Sequence, residues 1–493
     1  MRKKHTAPSV RRCDKLARQA KPPAPPSLPT LGQQGRWGRR FRLPGRRLRL
    51  SALTLGAICV LLLGSVATGA DVFLAGAAKA DLDPPLGIPM SGYGARKGVS
   101  QGVLDPVQAR VLALSDGQRK IALVTLDLVF PFDETEIEKI RAEARAKGVD
   151  EVIVHSSHTH SGPTYSASPA GLTKAVSRVG EAIASAASHM TPVRIGTGWG
   201  VVYIGFNRRY VLPNGDARMF WRNEPKISST YPVDPTLGVI RVDRLDGSPL
   251  AVLVNYACHP VVLGPDNLNY SADYPSAMRS TIEQGLGGGV TAFFLQGAPG
   301  DINPSLDKTP LLEDAVGQMH RTGRKIGEAA LRVAKDITTK QAASPRIQSK
   351  TAVVHAVSRW DVAKLRAMMG ERYQLDPART ARLVRDKMDM PVTTLLLNGE
   401  LAFITMPGEP FVEFQMQWRS RSPLPNCYFL GYTNGTFGYF PTIAAAVRGG
   451  YGANNTATQV ELGAGERMLN TGLISLYELM GKLSPKPAGG AAN

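Results

Sequence analysis

Two apolar runs with a helix signal between them constrain this chain more than any other feature. The first run is KIALVTLDLVF, residues 120–130, and the second is EVIVHS, residues 151–156. The first is mostly apolar and reads as a strand covered on both faces, and the second reads as the next strand. Between them Asp133 and Glu136 can cap a helix that runs through EIEKIRAEARA and stops near Gly148. A strand–helix–strand unit needs a sheet with helices laid on it, so the class is α/β, a mixed β-sheet core with flanking helices.

The same grammar recurs downstream. Residues 172–190 and 313–337 read as helices, and AVLVNYACHP (251–260) and TAFFLQGAPGD (291–301) each read as a strand running into a polar loop. Residues 393–410 give two short strands about Asn398-Gly399, then a loop that opens a helix. The sequence shows no internal repeat and no linker between 71 and 482. In open α/β sheets, sites gather in loops beyond the carboxyl ends of strands, and the polar clusters here stand at strand ends.

The densest cluster is VIVHSSHTHSGP, residues 152–163, which holds three of the chain's eight histidines. In an extended chain His158 and His160 share a face, while His155 projects to the other and reads as framework. Hydrogen-bonded loop histidines are the plain alternative to a metal or catalytic site. His259 follows a second apolar run; its neighbour Cys258 is either a thiolate ligand or a small buried residue, and adjacent side chains on a strand diverge. Glu409, before a proline, is either a ligand or a helix-start charge. Two histidines and a carboxylate make a common catalytic zinc set. Tyr439, in GYTNGTFGYFPT, reads as core from its surroundings alone.

Charge separates the chain into parts. The formal net charge is +19, but residues 1–50 hold 15 Lys or Arg against Asp14 alone, leaving 19 − 14, or +5, for the rest. A basic tail on a near-neutral body argues against nucleic acid as partner. Residues 1–50, rich in Pro, Gly and Arg, read as a basic disordered region. Residues 51–70 carry no charge, follow Arg46, Arg47 and Arg49, and read as a signal peptide or a membrane anchor. The expected location is therefore extracytoplasmic, with membrane contact through 51–70 and a body spanning 71–493. With Cys13 and Cys59 in the leader, the body has only Cys258 and Cys427, so it does not depend on a disulfide framework.

The segments SHTHSGP, NYACHP, GAPGDINP, MPGEP and GYTNGTFGYFPT stand in the order and general spacing of the neutral ceramidase family. The opening AGAAKADLDPPLGIPMSGYG also resembles the start of that family's catalytic domain, so the likeness spans roughly residues 72–480. It implies hydrolysis of the amide of an N-acyl lipid, with one zinc ion activating a water. Carried over by position, His158, His259, Glu409 and Tyr439 would hold zinc, and His160 would stand near the reacting carbonyl. Arg208, in GFNRRY, would line the site, and so would Tyr451, at 451 − 439 = 12 residues past the ligand tyrosine. The family's catalytic serine falls at Asn303 here, an amide that cannot act as an acyl-transfer nucleophile but can donate to an oxyanion. No counterpart of the family's immunoglobulin-like C-terminal domain is expected. The implied function is a zinc-dependent hydrolase of amide or ester bonds. The alternatives are a catalytically silent lipid- or glycan-binding relative and an extracytoplasmic scaffold with an incidental histidine cluster.

Overall fold

The computed structural model of the chain describes residues 72–484, except 222–230, 288, 374–376, 378–379 and 382–383. The expected basic region 1–50 and apolar segment 51–70 lie outside the described residues. Among those residues no helix is long and apolar enough to cross a membrane.

Twelve strands form the framework. The first eight are β1 Leu74–Asp81, β2 Gln108–Ser115, β3 Lys120–Leu126, β4 Glu151–Ser156, β5 Thr191–Val201, β6 Thr236–Arg244, β7 Pro249–Tyr256 and β8 Thr291–Gln296. They make one sheet in the order β8-β7-β6-β5-β1-β2-β3-β4. The last four, β9 Ile347–Val357, β10 Lys387–Leu397, β11 Leu401–Thr405 and β12 Asn426–Leu430, make a second sheet in that order. Six helices cover the outer faces: α1 Glu134–Ala146, α2 Pro169–Ser188, α3 Tyr274–Leu286, α4 Ala315–Asp336, α5 Val412–Arg421 and α6 Ala464–Leu479.

The pairing reveals a repeat that the sequence reading does not anticipate. The large sheet is two four-stranded halves whose ladders meet where Leu74 and Ala75 pair with Pro192 and Thr191. Each half, and the second sheet, follows one plan. Three strands pair antiparallel, a helix crosses over, a fourth strand pairs parallel to the third, and a second helix closes the unit. The three units are thus β1–β4 with α1 and α2, β5–β8 with α3 and α4, and β9–β12 with α5 and α6. Their tight hairpins share a local signal, DGQRKIALV, DGSPLAVLV and NGELAFIT. In the third, Asn398 and Gly399 both adopt positive φ (57° and 69°), the two left-handed residues a type I′ turn requires.

Packing follows from the patterning. The inner strands are covered on both faces, which explains their continuous apolar runs, whereas β9 leaves Val353 and Val357 exposed. Between the sheets, Leu112, Leu123, Ile240, Leu253 and Phe293 meet Leu395, Phe403 and Tyr428. Outside, α1 and α2 cover the first unit, α3 and α4 the second, and α5 and α6 the third. β3 stops at Leu126 rather than at residue 130; at Asp127 the side-chain carboxylate, not the carbonyl, accepts the Gln108 N–H, and it also makes a buried two-pronged bond to Arg279 of α3, at 2.8 and 2.9 Å. Asp133 takes the N-cap position of α1 but makes no side-chain cap bond. Cys258 and Cys427 are both buried and free.

In every unit the short hairpin lies at one end of the strands. The long connections, residues 82–107, 202–235 and 358–386, lie at the other, with the carboxyl ends of the third and fourth strands. All the candidate functional residues are at that second end.

Candidate metal centre

Beneath the site the fourth strands of the three units are knotted together. The Nε2 atom of His155, on β4, accepts from the Gln296 N–H at the end of β8 (2.8 Å), and its Nδ1–H donates to Gly431 O just past β12 (2.8 Å). Gly431 N–H donates to Gln296 O at 3.2 Å. His155 is therefore framework, as its strand face implied.

Three residues on, the chain turns sharply at His158, whose φ is 67°. Its Nδ1–H donates to Val129 O at 2.5 Å, and His259 Nδ1–H donates to Ile302 O at 3.0 Å. Each carbonyl fixes the ring and its tautomer, leaving the Nε2 lone pair free to bind. The two Nε2 atoms face the same Glu409 oxygen, Oε2, at 3.6 Å from His158 and 3.4 Å from His259. His160 Nε2 lies 3.1 Å from His158 Nε2, and the three imidazoles offer ligand atoms within 4.8 Å of one another. His158, His259 and Glu409 are nearly fully buried, His160 is half-buried, and His259 Nε2 has no hydrogen-bond partner.

A buried lone pair without a partner is costly unless something occupies the space it faces. Two ligands on one tetrahedral divalent ion stand about 3.4 Å apart, the spacing found here. The donor set therefore fits a zinc-like cation, and the histidine group can hold a metal.

Arg208 forms the second wall. It is buried, and its guanidinium donates to Asn303 Oδ1 (3.2 Å), Gly300 O (2.5 Å) and Tyr439 Oη (3.1 Å), leaving Nε without a partner. The Tyr439 phenol also hydrogen-bonds Glu409, and its ring meets Tyr451 edge-on at 5.4 Å. Trp221 stands 5.3 Å from Tyr451 at the partly exposed rim, with the Lys308 ammonium over its face. Asn303 Oδ1 is engaged by Arg208, while its Nδ2 donates to Asp307 (2.6 Å), which pairs with Lys308. Thus His158, His160, Arg208, His259, Asn303, Glu409, Tyr439 and Tyr451 gather in one cluster drawn from all three units. Tyr432, Trp221, Asp307 and Lys308 join them although the sequence reading singled out none of the four. An aromatic after glycine and an acid–base pair in a loop carry no local signal. Cys258 is no ligand candidate: its sulfur lies against its own chain, at 3.8 Å from His259 O.

Burial sets the protonation states. It pushes His155 and His158 down to about 3 and His160 and His259 well below 6.5, so all four stay neutral. Burial raises Asp273 to about 7 and Asp301 to about 6. In the metal-free protein the depressed histidines stabilise the fold fully above pH 6.5, and that contribution is lost as pH falls toward their folded values. The two carboxyls act oppositely, stabilising most below their unfolded value and less as pH rises through 6 to 7. As pH falls from 6.5 to 5 the histidine contribution is lost, so stability should drop on acidification. Urea midpoints measured from pH 7 to pH 5 check this; a flat or rising midpoint contradicts it.

No protein-family model matches the chain. Solved structures that resemble it include two ceramidases. One is neutral ceramidase from Pseudomonas aeruginosa, with TM-score 0.67 and 16% identity over 86% of this chain and 76% of that one. The other is a ceramidase complexed with C2, with TM-score 0.66 and 16% identity over 86% of this chain and 77% of that one. The α/β fold is ceramidase-like.

Proposed function

We propose that this chain is a zinc-dependent hydrolase of amide or ester bonds, ceramidase-like, acting outside the cytosol on an N-acyl substrate of lipid character. One observation carries the proposal: His158, His259 and Glu409 present Nε2, Nε2 and Oε2 at ligand spacing, with both Nδ1 atoms already tied to carbonyls. Those three, with the Tyr439 phenol beside Glu409, would hold the ion. A zinc ion bound there would polarise the scissile carbonyl and lower the pKa of a water.

The remaining steps belong to the chain. Arg208, caged by Trp221, Tyr439 and Tyr451, offers its unpartnered Nε–H to the oxygen on which charge develops. His160, neutral and with Nδ1 unpartnered, takes a proton from the attacking water and returns it to the leaving group. Asn303 fixes Arg208 against Asp307 rather than attacking, so no acyl-enzyme forms at that position. The basic leader and residues 51–70 would export the domain and hold it at, or release it from, a membrane.

The amide at 303 also favours a second reading, a relative that binds lipid or glycan without turnover. Activity separates them. The full chain, assayed on ceramide beside short N-acyl amino acids, should lose hydrolysis on chelation and regain it with zinc. Stoichiometric zinc without turnover on any member of the panel would leave only the binding reading.

A further inference from the structure

We propose that Tyr432 is a positioning residue of this centre, holding both His158 and Glu409 in ligating geometry; the inference rests on the metal-site reading above. The backbone gives the first indication. Tyr432 and His158 both adopt left-handed φ, 46° and 67°, a conformation that costs a residue with a Cβ roughly 1–2 kcal/mol. Each is held there by main-chain bonds. Tyr432 N–H donates to Gly408 O at 2.9 Å, Ser156 N–H donates to Tyr432 O at 3.1 Å, and His158 N–H donates to Leu128 O at 3.0 Å. Two strained residues from two different units are thereby brought face to face.

Their rings stack at 3.9 Å with an interplanar angle of 17°, and Phe130 flanks the pair at 5.4 Å from His158 and 6.2 Å from Tyr432. The phenol then reaches across the site. Its O–H donates to Glu409 Oε2 at 3.2 Å, the same oxygen that faces both Nε2 atoms. One side chain thus fixes the plane of one ligand and occupies a lone-pair direction of another. With a relative exposure of 0% it cannot touch substrate, so it acts only through the ligands.

Outer hydrogen bonds of this kind are worth 10–100-fold in metal affinity. Tyr432→Phe keeps the stacked ring and deletes the donor, which separates positioning from packing. In chelator competition on the full chain, Tyr432→Phe should weaken zinc binding by about 10–100-fold, and the visible spectrum of the cobalt-substituted protein should shift. The thermal midpoint of the metal-free variant should stay near wild type, which a role in packing alone would also predict. Unchanged zinc affinity and an unchanged cobalt spectrum overturn the inference. A wild-type chain that takes up no zinc overturns the site reading and this inference with it, whereas turnover that survives with weakened metal leaves both standing.

Discussion

On the proposed function, His158→Ala should abolish stoichiometric zinc binding and lower hydrolysis of an N-acyl amide by at least about a thousandfold. The size follows from what is removed: Lewis-acid stabilisation is worth several kcal/mol, and each 1.36 kcal/mol is a factor of about ten in rate. His158 contacts two other members of the cluster. Its Nε2 is 3.1 Å from His160 and 3.6 Å from Glu409, so its loss opens the side of the cluster those two share. The Val129 carbonyl that fixed the ring also loses its donor. Zinc content and steady-state rates on an N-acyl amide panel decide the matter. A variant as active as wild type would sink the zinc-site assignment.

Asp127→Ala should cost 3–5 kcal/mol of stability, the usual penalty for leaving one member of a buried ion pair alone. Asp127 and Arg279 are both almost fully buried, and the carboxylate also accepts the Gln108 N–H at 2.9 Å. The pair joins the first unit to α3 of the second, so its loss is felt across two layers. Replacing both members with apolar residues of matching volume should cost less than the single change, because no charge is then stranded. Urea unfolding of the two variants makes the comparison. Equal losses would mean that the pair contributes through packing alone.

Much of the framework is legible in short stretches of sequence. Residues 151–156 form a strand over those residues, and Asn398-Gly399 turns a hairpin, because buried strands and type I′ turns have strong local signatures. The face occupied by His155 follows from the two-residue period of a strand. Convergence is harder to read. Arg208, Asn303, Glu409 and Tyr439 meet across some 230 residues of chain, and no local pattern reports that; only resemblance to a family brought them together. The threefold plan escaped because DGQRKIALV, DGSPLAVLV and NGELAFIT share a turn and an apolar run but few identities. The units coincide in backbone, where hydrogen bonding constrains them, and diverge in side chains, where each unit supplies a different part of the site. Tyr432 carried no signal because its role depends on a left-handed backbone and on a ring stacked from another unit.

The placement of the three tight hairpins, at 116–119, 245–248 and 398–400, has a practical outcome. They cap the pole of the molecule away from the histidines, and their strands are held on both sides of the turn. The 116–119 tip is tied down, since Asp116 accepts the Ile347 N–H, but foreign sequence grafted at 245–248, where Leu245 and Asp246 are exposed, meets few packing demands and leaves the histidine loops undisturbed. A fluorophore tag or surface tether placed there would immobilise the protein with its working face outward, free to meet whatever it acts upon.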